Sequence, residues 1–452
     1  MSASPASPSA SPSLLAPLKL RSFRLLFSGQ VLSDLGNWIE FFAYGQLITF
    51  VWQEGPMGQA YFLIALTLPF LLFGSVLGVL ADRVDKRLAL LSCDILRCLL
   101  MIAMFFADSL WPLLGLLFVK GTLSTLFNSA KQSAIRLTVP EALLLPANSL
   151  SFSSANLAKV IGPSLGALLL VVLSYHELFL LNACIYALSA SLLFLLPKGE
   201  LVSKPSATSA AFNKADGTDE NEAANGAPAE TVSRSKHPSF LTEFLEGWQV
   251  ILRSKVLLAI NVYFFLQCVA MYAFETQSAQ IIRVVGYPGE WFAYFNSILG
   301  LGSFLVALFA TKLVNSRNPF IMLFIAATAL GALLLLLALG GFGHLPVTAA
   351  TWLPIWFLMG GAITVMGVCY GYLLQTQSPP SHMGRVAGST EAFVYGAILF
   401  GSLGSGFVGV RYSVVHDYLG AALLMLVAGI FALLVSPLLK HRSQTKESAV
   451  SQ

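Results

Sequence analysis

Apolar residues run through this chain in long blocks separated by short polar segments, not in the short amphipathic repeats of a water-soluble fold. A bilayer-crossing helix needs about 20 mainly apolar residues. Twelve blocks qualify, over 25–52, 59–80, 88–106, 109–129, 147–173, 178–196, 256–281, 289–311, 319–341, 350–375, 387–409 and 417–438. Between the sixth and seventh, residues 197–239 are rich in Ala, Ser, Asn and charge, and read as a flexible linker. The next segment places Phe240, Phe244, Trp248 and Ile251 on one helical face, which suits a short helix lying at the membrane surface.

The predicted fold is an all-α membrane protein with twelve transmembrane helices in two six-helix bundles. Its expected parts are a disordered tail over 1–24, a first bundle over 25–196, the linker over 197–239, a second bundle over 240–438 led by the surface helix, and a second tail over 439–452. The opening twenty residues are rich in Ser, Pro and Ala, and we read them as a tail and not as a cleaved signal peptide. A faint internal repeat supports duplication: GSVLGVLADR from Gly74 aligns with GSFLVALFATK from Gly302, with Ala310 where Asp82 stands.

Composition agrees with this reading. Charged residues are 11% of 452 and hydrophobic residues 56%, with a mean hydropathy of +0.75, whereas a soluble domain carries about 25% charge. A cytosolic enzyme, a disordered chain and a nucleic-acid binder are thereby excluded. Of the 26 Lys and Arg, 21 fall on the side of the two termini and the linker, and only Arg283 and Arg411 on the other. Translocated loops are depleted in these residues, so both termini are expected in the cytoplasm. Cys93, Cys98, Cys184, Cys268 and Cys369 form no CxxC pair and read as packing residues, and the six histidines have no ligand spacing, so no metal is expected.

Ionisable residues inside a span are costly and must be paired or face a wet cavity. In span one Gln30, Ser33, Asp34, Asn37, Glu40 and Tyr44 lie within an arc of roughly 120°. That stripe predicts a cavity wall. Lys120, Ser124, Asn128 and Lys131 extend it on span four, and Tyr263, Gln267, Tyr272 and Glu275 on span seven. Lys159 is near the middle of span five. Asp34, alone or with Glu40, is the candidate for proton binding and release, with Lys159 as counter-charge. A permanent structural salt bridge between spans is the alternative. The expected substrate cavity comprises Asn37, Tyr44, Lys120, Asn128, Gln267 and Glu275.

Loop 2–3 reads Gly78-Val79-Leu80-Ala81-Asp82-Arg83-Val84-Asp85-Lys86-Arg87, with Asp94 and Arg97 following. It resembles the signature loop of the major facilitator superfamily, with Asp85 in place of the second glycine. The resemblance implies a conformational gate made by Gly78, Asp82, Arg83, Arg87, Asp94 and Arg97, with Asp82 held against span eleven, which begins Gly388-Ser389-Thr390-Glu391. Residues 127–170 are similar to the macrolide and siderophore efflux proteins, with Ser129 for the usual proline and Lys131 for the usual arginine of a turn. LLQTQSPPSHMGRVAG and SDLGNWIEFFA resemble the bacterial enterobactin exporter group. Gly162, Pro163 and Gly166 occupy the position of an antiporter signature in span five, where proline bends the helix and glycines permit a close crossing.

These resemblances imply a secondary active exporter of amphipathic drugs, macrolides or siderophores in the bacterial inner membrane. The proton gradient supplies its energy, and it is expected to be a monomer with no cofactor. A lysophospholipid transporter of the same fold is the alternative, kept open by Ser129-Ala130-Lys131. The chain lacks HExxH and P-loop motifs, so neither a membrane-embedded enzyme nor an ATP-driven pump is expected.

Overall fold

The computed structural model describes residues 15–170, 172–197, 248–316, 318–378, 383–435 and 437. The linker from residue 198 on, the terminal segments before 15 and after 437, Phe240 and Phe244 lie outside the described residues, as do the side chains of Asp82, Lys159, Pro163 and Glu391.

Among the described residues there are twelve long helices: α1 (Arg21–Gln46), α2 (Pro56–Arg83), α3 (Lys86–Phe105), α4 (Leu110–Thr138), α5 (Glu141–Leu170), α6 (Tyr175–Phe194), α7 (Lys255–Thr276), α8 (Glu290–Ser316), α9 (Pro319–Gly341), α10 (Ala349–Gln377), α11 (Met383–Arg411) and α12 (Val414–Val435). Ten are long and apolar enough to cross a membrane. The other two are α1 and α5; α1 is diluted by the polar stripe that the sequence placed on it.

Helix packing repeats between the halves. In the first, α2 packs on α4, α3 on α6, and α1 on both α5 and α6; in the second, α8 packs on α10, α9 on α12, and α7 on both α11 and α12. The most extensive contacts between the halves are those of α2 with α11 and of α5 with α8. Glycines set the closest crossings: a Cβ on Gly302 would meet the Phe357 carbonyl of α10, and one on Gly162 would meet Trp38 of α1. Backbones can approach there only because the side chain is missing.

Several boundaries differ from the sequence reading. The tail expected through residue 24 gives way earlier, to a 3₁₀ turn over Ala16–Lys19 and α1 from Arg21, because Pro17, Phe23 and Leu26 are buried. The expected turn around Ser129–Lys131 is helical: with serine in place of proline no backbone donor is lost, and α4 continues to Thr138. The single span expected over 256–281 breaks at Gln277, and a seven-residue helix, Ser278–Val284, follows. Hydroxyls compete with the helix at this break, Thr276 donating to the Tyr272 carbonyl (2.5 Å) and Ser278 to that of Glu275 (2.8 Å). Of the expected surface helix, residues 248–253 are described and helical, and Trp248 packs against Phe393 of α11 with ring centroids 4.4 Å apart.

At the end opposite the termini the halves are tied together. α1 closes in a π-helical turn over Leu47–Val51, and this turn, the loop after it and the first residue of α2 offer carbonyls to the second half. Gln277 Nε2 donates to Pro56 O (3.1 Å), Gln280 Nε2 to Glu54 O (2.7 Å) and Arg283 Nη1 to Thr49 O (3.1 Å), while Gln46 Nε2 donates back to Gly289 O (2.7 Å). Phe42 and Phe292 stack across the same seam at 4.8 Å.

Candidate functional site: a charged cavity between the halves

A cavity of about 260 Å³ opens between α1, α2, α4, α7 and α11. The α1 stripe forms one wall, with Asn37, Glu40 and Tyr44 spaced three and four residues apart on one face. Lys120, Ser124 and Asn128 of α4 form the next, four residues apart each time. Tyr272 and Glu275 of α7 supply the facing side, and Trp38, Phe41 and Phe70 add aromatic surface.

The charge in this wall is paired. Glu40 is fully buried, Lys120 is 3% exposed, and the two form an ion pair across α1 and α4. Lys120 Nζ also donates to Asn37 Oδ1 (3.2 Å). Tyr186 of α6 donates to Asn37 Oδ1 (2.9 Å), with Glu40 Oε1 at 3.3 Å, and Tyr44 adds its hydroxyl at 3.4 Å from Glu40 Oε2. An ion pair withdrawn from water is tolerable only when such hydrogen bonds satisfy its remaining polar atoms. The Glu275 carboxylate lies in the same cavity, so its lining carries two acids and one base.

Of the sequence-predicted cavity residues, Asn37, Tyr44, Lys120, Asn128 and Glu275 line this space. Gln267 is buried on α7 with its Oε1 unbonded, and is not among the lining residues. Asp34 lies outside the lining too, half-buried, where Gln30 Nε2 donates to its Oδ2 (3.1 Å) and the charges of Lys131 and Arg97 act on it. Lys131 reaches this environment because the helical continuation of α4 carries it inside. The expected partner of Asp34, Lys159, has its side chain outside the described residues.

Tyr186 is the residue that sequence reasoning missed. The signal was present: Asn182, Tyr186 and Ser189 follow one another at i, i+4 and i+7, a polar line along an otherwise apolar α6. Ser189 belongs to a second buried network, donating to Asp94 Oδ2 (2.6 Å), while Arg97 Nη1 bonds Asp94 Oδ1 (3.2 Å) and lies over the Phe127 ring at 4.4 Å.

The loop 2–3 residues divide. Asp85 caps α3, its Oδ1 accepting from Leu88 N (3.0 Å), so the acid standing for a glycine has a local structural use. Arg87 donates to the Phe194 carbonyl at the end of α6 and lies over the Phe194 ring. Arg83 is exposed. Gly78 has no heavy atom within 4 Å of an ideal Cβ, so in this conformation it makes no close helix crossing. In the span-five motif Gly162 and Gly166 make that close crossing, and the partner is α1 at Trp38 and Ile39.

The Major Facilitator Superfamily family model matches residues 26–402. The chain belongs to this superfamily. It is therefore a membrane transporter and not an enzyme. It is 28% identical over 418 residues to the uncharacterized MFS-type transporter YfiS of Bacillus subtilis (strain 168), covering 91% of this chain and 90% of that one. It is 22% identical over 392 residues to macrolide efflux protein A of Streptococcus pyogenes, covering 82% and 86%. Among solved structures, a bacterial homologue of the human lysosomal transporter Spinster, in an inward-facing and unoccupied conformation, superposes with a TM-score of 0.67 at 13% identity, covering 93% of this chain and 98% of that one. A POT family transporter in complex with 5-aminolevulinic acid also gives a TM-score of 0.67, at 16% identity, with 92% and 96% covered.

Proposed function

We propose that this transporter is a proton-coupled exporter of amphipathic small molecules, with Glu40 as the group that exchanges the proton. The observation that carries the reading is the buried Glu40–Lys120 pair in the cavity wall. Protonating Glu40 removes its attraction for Lys120, frees the ammonium for the cavity, and shifts the balance between two helix arrangements. A lining with two acids, one base and several aromatic rings suits drug-like or macrolide-like amphiphiles that carry a positive group. The similarity to macrolide efflux protein A supports export. Asp34, with Lys159 as counter-charge, is the second candidate for the proton.

In this reading the protein is a monomer in the bacterial plasma membrane with both termini in the cytoplasm. The proton gradient is its energy source and it needs no cofactor. The four hydrogen bonds at the far end then close the outside face. Alternation proceeds by breaking them while the loop 2–3 gate of Asp82, Arg83 and Arg87 closes at the other end.

The test is proton release from energised inside-out vesicles on adding macrolides, cationic dyes, catecholate siderophores and lysophospholipids in turn. The expected result is that at least one of the first three dissipates the pH gradient with wild type and not with Glu40→Gln. Asp34→Asn in the same assay decides between the two acids. If none releases protons while labelled lysophospholipid still crosses the bilayer, the exporter reading is replaced by lipid transport.

A further inference from the structure

A second cavity, of about 210 Å³, lies away from the central one, in a groove between α11 and α12 whose floor is α7. Its lining is apolar except at the end opposite the termini, where Ser405, His416 and Asp417 enter it. Gly404 of α11 and Gly420 of α12 border the groove, and an ideal Cβ on either would meet no heavy atom within 4 Å. The space beside them is thus open and unpacked. From Asp417 to Leu424 the α12 wall runs seven residues, about 10 Å of helix.

Asp417 is the unusual member. It is 5% exposed, and its Oδ2 is 3.0 Å from Ser405 Oγ. That hydroxyl is also 3.2 Å from the Ala273 carbonyl, so its single proton is shared between two acceptors. Among the described residues no Lys, Arg or His nitrogen comes within 4.0 Å of this carboxylate. The adjacent His416 ring is held on Ser413 Oγ (2.7 Å) and packs edge-on against Phe342, and Arg411 at the end of α11 is turned over the Tyr412 ring. A carboxylate withdrawn from water calls for a cation or several donors, and the protein supplies half of one.

We propose that this groove binds a cationic membrane amphiphile from the leaflet opposite the termini, with its ammonium group on Asp417 and its hydrocarbon chain along α12 toward Leu424. The charge selects the occupant: an ammonium brings the donors that Asp417 lacks, while a neutral or anionic head leaves the acid as it was. The site is separate from the central cavity and stands whether or not the proton-coupling reading does.

The experiment uses the full chain in phosphatidylcholine nanodiscs, labelled with a long-chain primary alkylamine bearing a chain diazirine, and in parallel with the alcohol of the same length. Crosslinked peptides are mapped by mass spectrometry. The amine is expected to label residues 400–424 about tenfold more than the alcohol, the effect of one hydrogen-bonded charge pair. Asp417→Asn is expected to reduce the amine to the level of the alcohol. Gly420→Leu, which fills open space, is expected to remove labelling by both. Equal labelling by the two probes overturns the proposal. So does amine labelling that survives Gly420→Leu.

Discussion

Glu40 on α1 and Lys120 on α4 form a buried ion pair whose ammonium also holds Asn37, one turn away on the same α1 face. The pair ties the two helices together and at the same time forms part of the cavity wall. Structural tie and functional group are thus the same atoms, which makes its disruption measurable in two independent ways.

Replacing one partner leaves the other charged and alone in the interior. Lys120→Met is expected to cost about 3–5 kcal/mol, read as a large fall in thermal unfolding temperature in detergent. The double variant Glu40→Gln/Lys120→Met is expected to regain most of that stability while remaining inactive in transport. A double variant no more stable than the single one contradicts the pairing.

The Asp94 network follows the same logic with a smaller perturbation available. Ser189→Ala removes one hydrogen bond to a buried carboxylate and is expected to cost about 1.5–3 kcal/mol. Arg97→Ala leaves Asp94 without its cation and is expected to cost more, about 3–5 kcal/mol. Thermal unfolding of the two variants side by side gives the order.

The seam at the end opposite the termini rests on side-chain donors to loop carbonyls. Gln277→Ala/Gln280→Ala removes two of them, at about 0.5–1.5 kcal/mol each. The expected shift toward a state open at that end is about five- to 150-fold. Spin labels at the exposed positions Val51 and Glu290 should report it as a longer distance population.

Two glycines that look alike in sequence should behave differently. Gly162→Ala drives a methyl into Trp38 and is expected to destabilise by about 1–3 kcal/mol. Gly78→Ala meets nothing within 4 Å and is expected to stay within about 0.5 kcal/mol of wild type. Equal unfolding temperatures for the two would contradict the α1–α5 crossing.

Hydrophobic length is a local property, so the helical class, the number of long helices and the division into halves were legible from residue order alone. The polar face of α1 was legible for the same reason, since 100° per residue places Asn37, Glu40 and Tyr44 together without reference to any partner. Which charges meet was not legible. The sequence suggested Lys159 as counter-charge to Asp34, alone or with Glu40, and the Lys159 side chain lies outside the described residues; what it did not suggest is the meeting of Lys120 with Glu40, because pairing depends on which helices pack and in what register. The α4 extension that carries Lys131 toward Asp34, the contribution of Tyr186, the break at Gln277 and the open groove beside Asp417 likewise arise only once helices distant in sequence are set against one another.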